Sequence, residues 1–224
     1  MTGISIAAKR EWKVILDKYK LNSDDCKKYP FGEYFTTEIN GESVIFYRCG
    51  VRKVNCSAAT QYMIDHFNLK KIIVVGTCAG IDDNFKNLDI FIPHKAVQYD
   101  CSIKEKEPLI KDSLSVSFDL NSLNIDVFPG IIGTADKAVV MRKDYIELKE
   151  NKITVADTEA AAIAYVCKTN NVECIIIKGI SDFPSENEEN EEQLNTLIKN
   201  VPIIMNKIID EYLPHVFQIS VKYN

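Results

Sequence analysis

Two patterns alternate along this chain: short unbroken apolar runs ending in small or polar residues, and longer segments whose apolar positions return every three to four residues. The most informative stretch runs from Ile153 to Pro184. An apolar approach ends in an acid at Asp157, an Ala-rich helix is expected from Thr158 to about Thr169, and an apolar strand from Cys174 to Ile180 stops at Ser181-Asp182. Ala160, Ala161, Ala162 and Ala164 are strong helix formers, and Asp157 or Thr158 is able to cap the first turn. The β-branched run Ile175-Ile176-Ile177 is too continuous for a half-exposed edge, so this strand is expected to be covered on both faces, as in a parallel α/β sheet. Ligands gather at the carboxyl ends of such strands.

The rest of the chain repeats these themes. Gly3 to Ala8 reads as a first strand and Lys9 to Tyr19 as a helix with an apolar face of Trp12, Val14, Ile15 and Leu16. Tyr34 to Ile39 and Ser43 to Cys49, separated by Asn40-Gly41, predict a hairpin. Gly50 to Val54 opens a helix running to about Phe67. Leu69 to Val75 is a second buried strand leading into Gly76-Thr77-Cys78-Ala79-Gly80, a glycine-rich turn that would let backbone approach a ligand. Asp89 to Asp100 reads as a strand, Cys101 to about Leu123 as a polar stretch with a solvated charge run at Lys104 to Glu107, and Ile131 to Asp136 as a strand end. Ser185 to Glu192 is expected to form an acidic loop and helix start over the site. Leu194 to Leu213 reads as an amphipathic helix ended by Pro214, with the last ten residues as an extended tail.

At 224 residues and 46% apolar, the chain suits one well-buried domain. A formal net charge of -5, without a dense basic block, gives no electrostatic support for a nucleic-acid partner. No stretch approaches membrane-spanning length, so a soluble, cytoplasmic protein acting on a small molecule is expected. The seven cysteines are scattered without a CxxC pair and read as reduced core thiols. His66, His94 and His215 lack metal-ligand spacing, so neither metal nor cofactor is expected.

Two carboxylates stand at element ends. Glu159 lies in a first helical turn, where the helix dipole should keep it ionised and able to accept from a sugar diol. Asp182 follows an apolar strand, where desolvation should raise its pKa and leave it a proton to donate. Taken singly, each is an ordinary helix-start or turn residue.

Together, Asp157-Thr158-Glu159-Ala160-Ala161-Ala162 and Ile180-Ser181-Asp182 resemble the signature of the nucleoside phosphorylase/nucleosidase superfamily. The similarity extends from Ile4 to about Leu213 and is strongest to 5'-methylthioadenosine/S-adenosylhomocysteine nucleosidases. It implies a single α/β domain over residues 1–213, three-layered α/β/α around a central mixed, partly barrel-like sheet, with 214–224 as a tail. A homodimer is also implied. By the same resemblance, Asp182 protonates the departing base, Glu159 binds ribose hydroxyls and Glu11 positions the attacking water. Thr77, Cys78, Ala79 and Gly80 would line the sugar and base pocket, Ser181 would hold Asp182, and Asp136 and Ala138 would belong to the base-binding loop. Ala138 stands where an aromatic commonly stacks on the base, Thr158 where a methionine often packs beside the sugar, and Lys178 where nucleosidases often have arginine. Phosphate-using members carry an arginine where this chain has Val74, which favours water as nucleophile, although Arg48 or Arg52 leaves another phosphate site open. The readings are therefore a purine nucleosidase, a phosphorylase, or a non-catalytic nucleoside-binding protein of the same fold.

Overall fold

The computed structural model describes residues 1–100, 111–117, 126–138, 142–184, 191–219 and 221–223. The charge run at 104–107 and most of the acidic loop, residues 185–190, lie outside them. In chain order the elements are β1 (Thr2–Ile6), α1 (Lys9–Tyr19), β2 (Lys27–Tyr29), β3 (Gly32–Ile39), β4 (Glu42–Arg48), α2 (Lys53–Phe67), β5 (Lys71–Gly80), β6 (Ile90–Phe91), β7 (Lys95–Gln98), β8 (Lys111–Ser117), β9 (Ile131–Thr134), α3 (Arg142–Glu150), β10 (Val155–Asp157), α4 (Ala160–Thr169), β11 (Glu173–Asp182) and α5 (Glu191–Lys207). A π-helical turn (Ile208–Tyr212), α6 (Leu213–Val216) and β12 (Lys222–Tyr223) follow.

One mixed sheet joins these strands, and β5 is its hub. Along its first half β5 runs parallel to β1 on one edge and to β11 on the other. At Ala79 and Gly80 the place of β1 is taken by antiparallel β10, which carries the sheet on through β9, β7 and β8. The continuous apolar runs explain the hub: Ile72 to Val75 and Cys174 to Ile177 are all buried, with helices covering the sheet. Helix α2 packs on α4, and α1 packs on α5.

Four stretches differ from the sequence reading. Gly76 to Gly80 is not a turn but the continuation of β5, because these residues keep pairing with β11 and then β10. The segment Asp89 to Asp100 is two short strands rather than one, and β8 arises within a stretch read as aperiodic, although Leu114 and Val116 alternate with serines there. The last residues are not an extended tail: Pro214 lies in the first turn of α6, where its missing N–H costs nothing, and Val216, Phe217, Ile219 and Val221 are buried. The Asn40-Gly41 hairpin is as expected, both residues adopting positive φ (53° and 79°). The six described cysteines are unbridged and buried.

Candidate active site

Three strand-to-helix junctions open at one end of the parallel strands, and each delivers an acid. At the first, β1 gives way to α1 and Glu11 falls at the third helical position. Its Oε2 accepts the Ala8 backbone N–H (3.1 Å), and its Oε1 accepts from the Thr77 N–H (2.7 Å) and hydroxyl (2.9 Å). A glycine is required beside it: a Cβ at Gly76 would lie 2.8 Å from Glu11 Oε1 and 3.0 Å from Lys178 Nζ. The absent side chain is what lets an anion and a cation reach the same point above β5.

At the second junction Asp157 ends β10 and caps α4, accepting the Ala160 N–H on both oxygens (each 3.1 Å). It also accepts the Thr134 hydroxyl (2.6 Å) and pairs with the buried ammonium of Lys178 at 3.1 Å. Glu159 is the residue before the helix rather than part of its first turn. Its Oε1 accepts the Arg52 backbone N–H at 2.8 Å and the Thr158 hydroxyl. Arg52 delivers that N–H from φ 77°, a left-handed conformation that L residues rarely adopt.

The electrostatics correct the helix-dipole expectation. Burial, then the neighbouring Asp157 charge, push the Glu159 carboxyl above its ordinary pKa, against the pull of Lys178, Thr158 and the Arg52 amide. What opposes that rise is a buried cation and two donors, the Thr158 hydroxyl and the Arg52 amide. Burial disfavours the Lys178 ammonium, but the surrounding Asp157, Glu11 and Glu159 outweigh it and hold its pKa well above the usual lysine value.

The third junction is the end of β11. Here the register with β5 slips between Ile180 and Asp182, leaving Ser181 as an extra residue in a bulge. In a regular strand successive side chains face opposite ways; the bulge turns Ser181 and Asp182 into the same cavity. Asp182 is 3% exposed. Ser181 contacts its Oδ1, and Gln193 of α5 donates to Oδ2 at 2.7 Å. Asn200, two turns further along α5, donates to the Ser181 carbonyl (2.7 Å). Burial raises the Asp182 pKa despite the Ser181 and Gln193 hydrogen bonds, in the direction expected from sequence.

Glu11, Glu159 and Asp182 line one cavity of about 600 Å³. Of the other residues singled out in the sequence, Thr77, Cys78, Ala79, Ala138, Thr158 and Ser181 line it as well. Three do not. Lys178 lies behind the wall, Gly80 sits under the Phe183 ring, and Asp136 accepts the Lys53 N–H (2.8 Å) at the start of α2. Cys78 donates its thiol to the Gly179 carbonyl (3.5 Å), and burial keeps it protonated. Sequence reasoning missed Gln193, whose approach depends on how α5 crosses β11, and it took Asp157 for a simple cap. Apolar wall comes from Ala7, Val51, Ala156, Leu194 and Leu197, and none of the described lining residues is aromatic. Lys137 is the lining cation among them, and it is paired with Asp144 (2.7 Å). Val74 is buried in β5, and neither Arg48 nor Arg52 lines the cavity. Among the described residues no cluster of His, Cys, Asp and Glu is arranged to hold a metal, and no helix is long and apolar enough to cross a membrane.

A mixed sheet with buried acids gathered at the carboxyl ends of its parallel strands defines an α/β protein built around a small-molecule pocket. The phosphorylase superfamily model matches residues 3–210, and the chain belongs to that family. Among its relatives are the 5'-methylthioadenosine/S-adenosylhomocysteine nucleosidases of Psychromonas ingrahamii (26% identical over 231 residues, 92% of this chain and 98% of the relative) and of Geobacillus sp. strain WCH70 (26% over 189 residues, 75% and 81%). The fold matches the native structure of Helicobacter pylori futalosine hydrolase (TM-score 0.80, 19% identity, 97% of each chain). It also matches a putative 5'-methylthioadenosine/S-adenosylhomocysteine nucleosidase from Borrelia burgdorferi bound to adenine (TM-score 0.75, 24% identity, 97% and 99%).

Proposed function

We propose that this protein is a nucleosidase that hydrolyses the N-glycosidic bond of an adenine-type purine nucleoside, such as 5'-methylthioadenosine or S-adenosylhomocysteine. The observation that carries the reading is the convergence of Glu11, Glu159 and Asp182 on one cavity, with Lys178 placed to offset charge near the first two. Departure of a purine leaves charge on the base and builds positive charge on the sugar. Asp182, disposed toward its neutral form by burial, donates a proton to the base, a contribution of about a hundred- to ten-thousand-fold in rate for such general acids. Glu159 accepts from the ribose hydroxyls and stabilises the developing cation. Glu11, held by Thr77 and the Ala8 amide, orients the water and takes its proton as the C–O bond forms.

Water is favoured over phosphate because, among the described residues, an anion would find the lining cation Lys137 already paired with Asp144 and no arginine side chain on the wall. The likeness to futalosine hydrolase makes a futalosine-type nucleoside the second substrate to test. Base release is to be measured for methylthioadenosine, adenosylhomocysteine, adenosine, inosine and futalosine, each with and without phosphate. Phosphate-independent release that falls at least a hundredfold in Asp182→Asn is expected. Release that requires phosphate would make the protein a phosphorylase, and binding without turnover would make it a binding protein.

A further inference from the structure

Ser181 has one hydroxyl proton and two oxygens within reach: the Cys78 carbonyl at 3.1 Å and Asp182 Oδ1. A backbone carbonyl only accepts. Both contacts are therefore hydrogen bonds at once when Asp182 is neutral, carries its proton on Oδ1 and donates to Ser181, which donates in turn to Cys78. The other oxygen, Oδ2, accepts the Gln193 amide at 2.7 Å. Gln193 lines the cavity, and its contact with Oδ2 is the less buried of the two, so Oδ2 is the oxygen a ligand meets. An amide N–H aimed at Oδ2 occupies an acceptor position there and favours the proton on Oδ1.

We infer that Gln193 is a proton-positioning residue: it confines the Asp182 proton to Oδ1, on the Ser181 side, until an incoming nucleobase displaces it. The inference rests on the nucleosidase reading for the identity of the displacing group. Once Gln193 leaves Oδ2, the carboxyl is free to turn about its Cβ–Cγ bond and present its O–H to the base. The O–H bond breaks as an N–H bond forms on the base, and the electrons of the glycosidic bond pass into the ring. The carboxylate left behind then receives the Ser181 hydrogen bond, which swings from the Cys78 carbonyl to the new charge. Among the described residues, the titratable and charged groups on the surrounding elements are Glu11, Cys78, Lys137, Asp157, Glu159 and Glu191 on the cavity wall, with Lys178 behind it. The influences that dominate Asp182 itself are burial, Ser181 and Gln193.

The test uses the fact that the pH profile of kcat/KM reports the free enzyme and that of kcat the complex. In Gln193→Leu the carboxylate loses a donor only in the free protein. The alkaline limb of kcat/KM should move up by about one pH unit, the scale of one hydrogen bond to a charged group, while the limb of kcat stays in place. Gln193→Ala, run in parallel, should give the same shift without added bulk. Titration of the Asp182 carboxyl by carbon NMR in ligand-free, aspartate-labelled protein, with Asp182→Asn identifying the signal, should show the same upward move. If the two kinetic limbs shift together or not at all, or if the carboxyl titrates unchanged in both variants, the inference is overturned. The NMR titration needs no turnover, so it judges Gln193 even if the nucleosidase reading fails.

Discussion

Glu159 and Asp182 are both buried carboxyls with raised pKa values, but a cation acts on Glu159 while the relief at Asp182 comes from neutral donors. The two shifts share a direction and a first cause, burial, and differ in what opposes it: a buried ammonium at Glu159, neutral donors at Asp182. The shared direction has a consequence for stability. A carboxyl whose folded pKa lies above its unfolded value binds more protons in the native state, so its contribution is full below the unfolded value and declines as pH rises toward the folded one. Asp182→Asn removes this penalty, and the amide fits: its N–H2 donates to Ser181, which donates to Cys78, and its oxygen accepts Gln193. The variant should therefore be more stable than the parent at pH 8, by on the order of 1 kcal/mol for every tenfold by which folding tightens the carboxyl's hold on its proton, and the gap should close toward pH 4. Urea denaturation at the two pH values measures it; an equal gap at both would refute the assignment. The raised pKa of Asp182 was legible in the sequence, because its cause is the apolar strand before it. That of Glu159 was not, because its causes are the packing of distant elements and the carboxylate of Asp157.

At the scale of elements, the active arrangement depends on α5 lying close across β11. Gly179 makes the approach possible: a Cβ there would stand 2.3 Å from Ile204 Cγ2 and 3.0 Å from Ile90 Cδ1. Gly179→Ala should force α5 outward, costing about 1–3 kcal/mol as overpacked sites do, and should loosen Gln193 and Asn200 from the Ser181-Asp182 bulge. The expected readout is a lower denaturation midpoint with a larger proportional loss in base release; unchanged turnover in a destabilised variant would show that α5 does not set the acid's geometry. The hairpin and the helices α1 and α4 were legible because local chemistry decides them: Asn40-Gly41 for one, periodicity and alanines for the others. The bulge at Ser181 was not, since nothing in Ile-Ser-Asp distinguishes a regular strand from one that slips a residue against β5. Nor was the strand character of Gly76 to Gly80, which depends on β10 and β11 supplying partners.

Across the whole molecule, residues after Leu213 close the fold. Val216, Phe217, Ile219 and Val221 join the main core, and Lys71 Nζ donates to the carbonyls of Phe217 (3.1 Å) and Ile219 (2.8 Å). Burying such a side chain stabilises by roughly 1.5–3 kcal/mol, so truncation after Leu213 should remove a large share of a typical total stability of about 5–15 kcal/mol. Calorimetry should show the cooperative transition lost or displaced far downward; a truncated chain that melts like the parent would show the segment to be dispensable. Composition and apolar patterning predicted the α/β class, but the anchoring of this segment depends on β5 and β8, far away in sequence.

Lys178 gives the molecule an internal gauge of its own opening. Acylating reagents attack amines that are both uncharged and reachable, and this one is neither while Asp157, Glu11 and Glu159 enclose it. Peptide mapping over time should find the surface lysines tagged early and position 178 tagged last. The length of that delay measures how often the floor beneath the pocket comes apart.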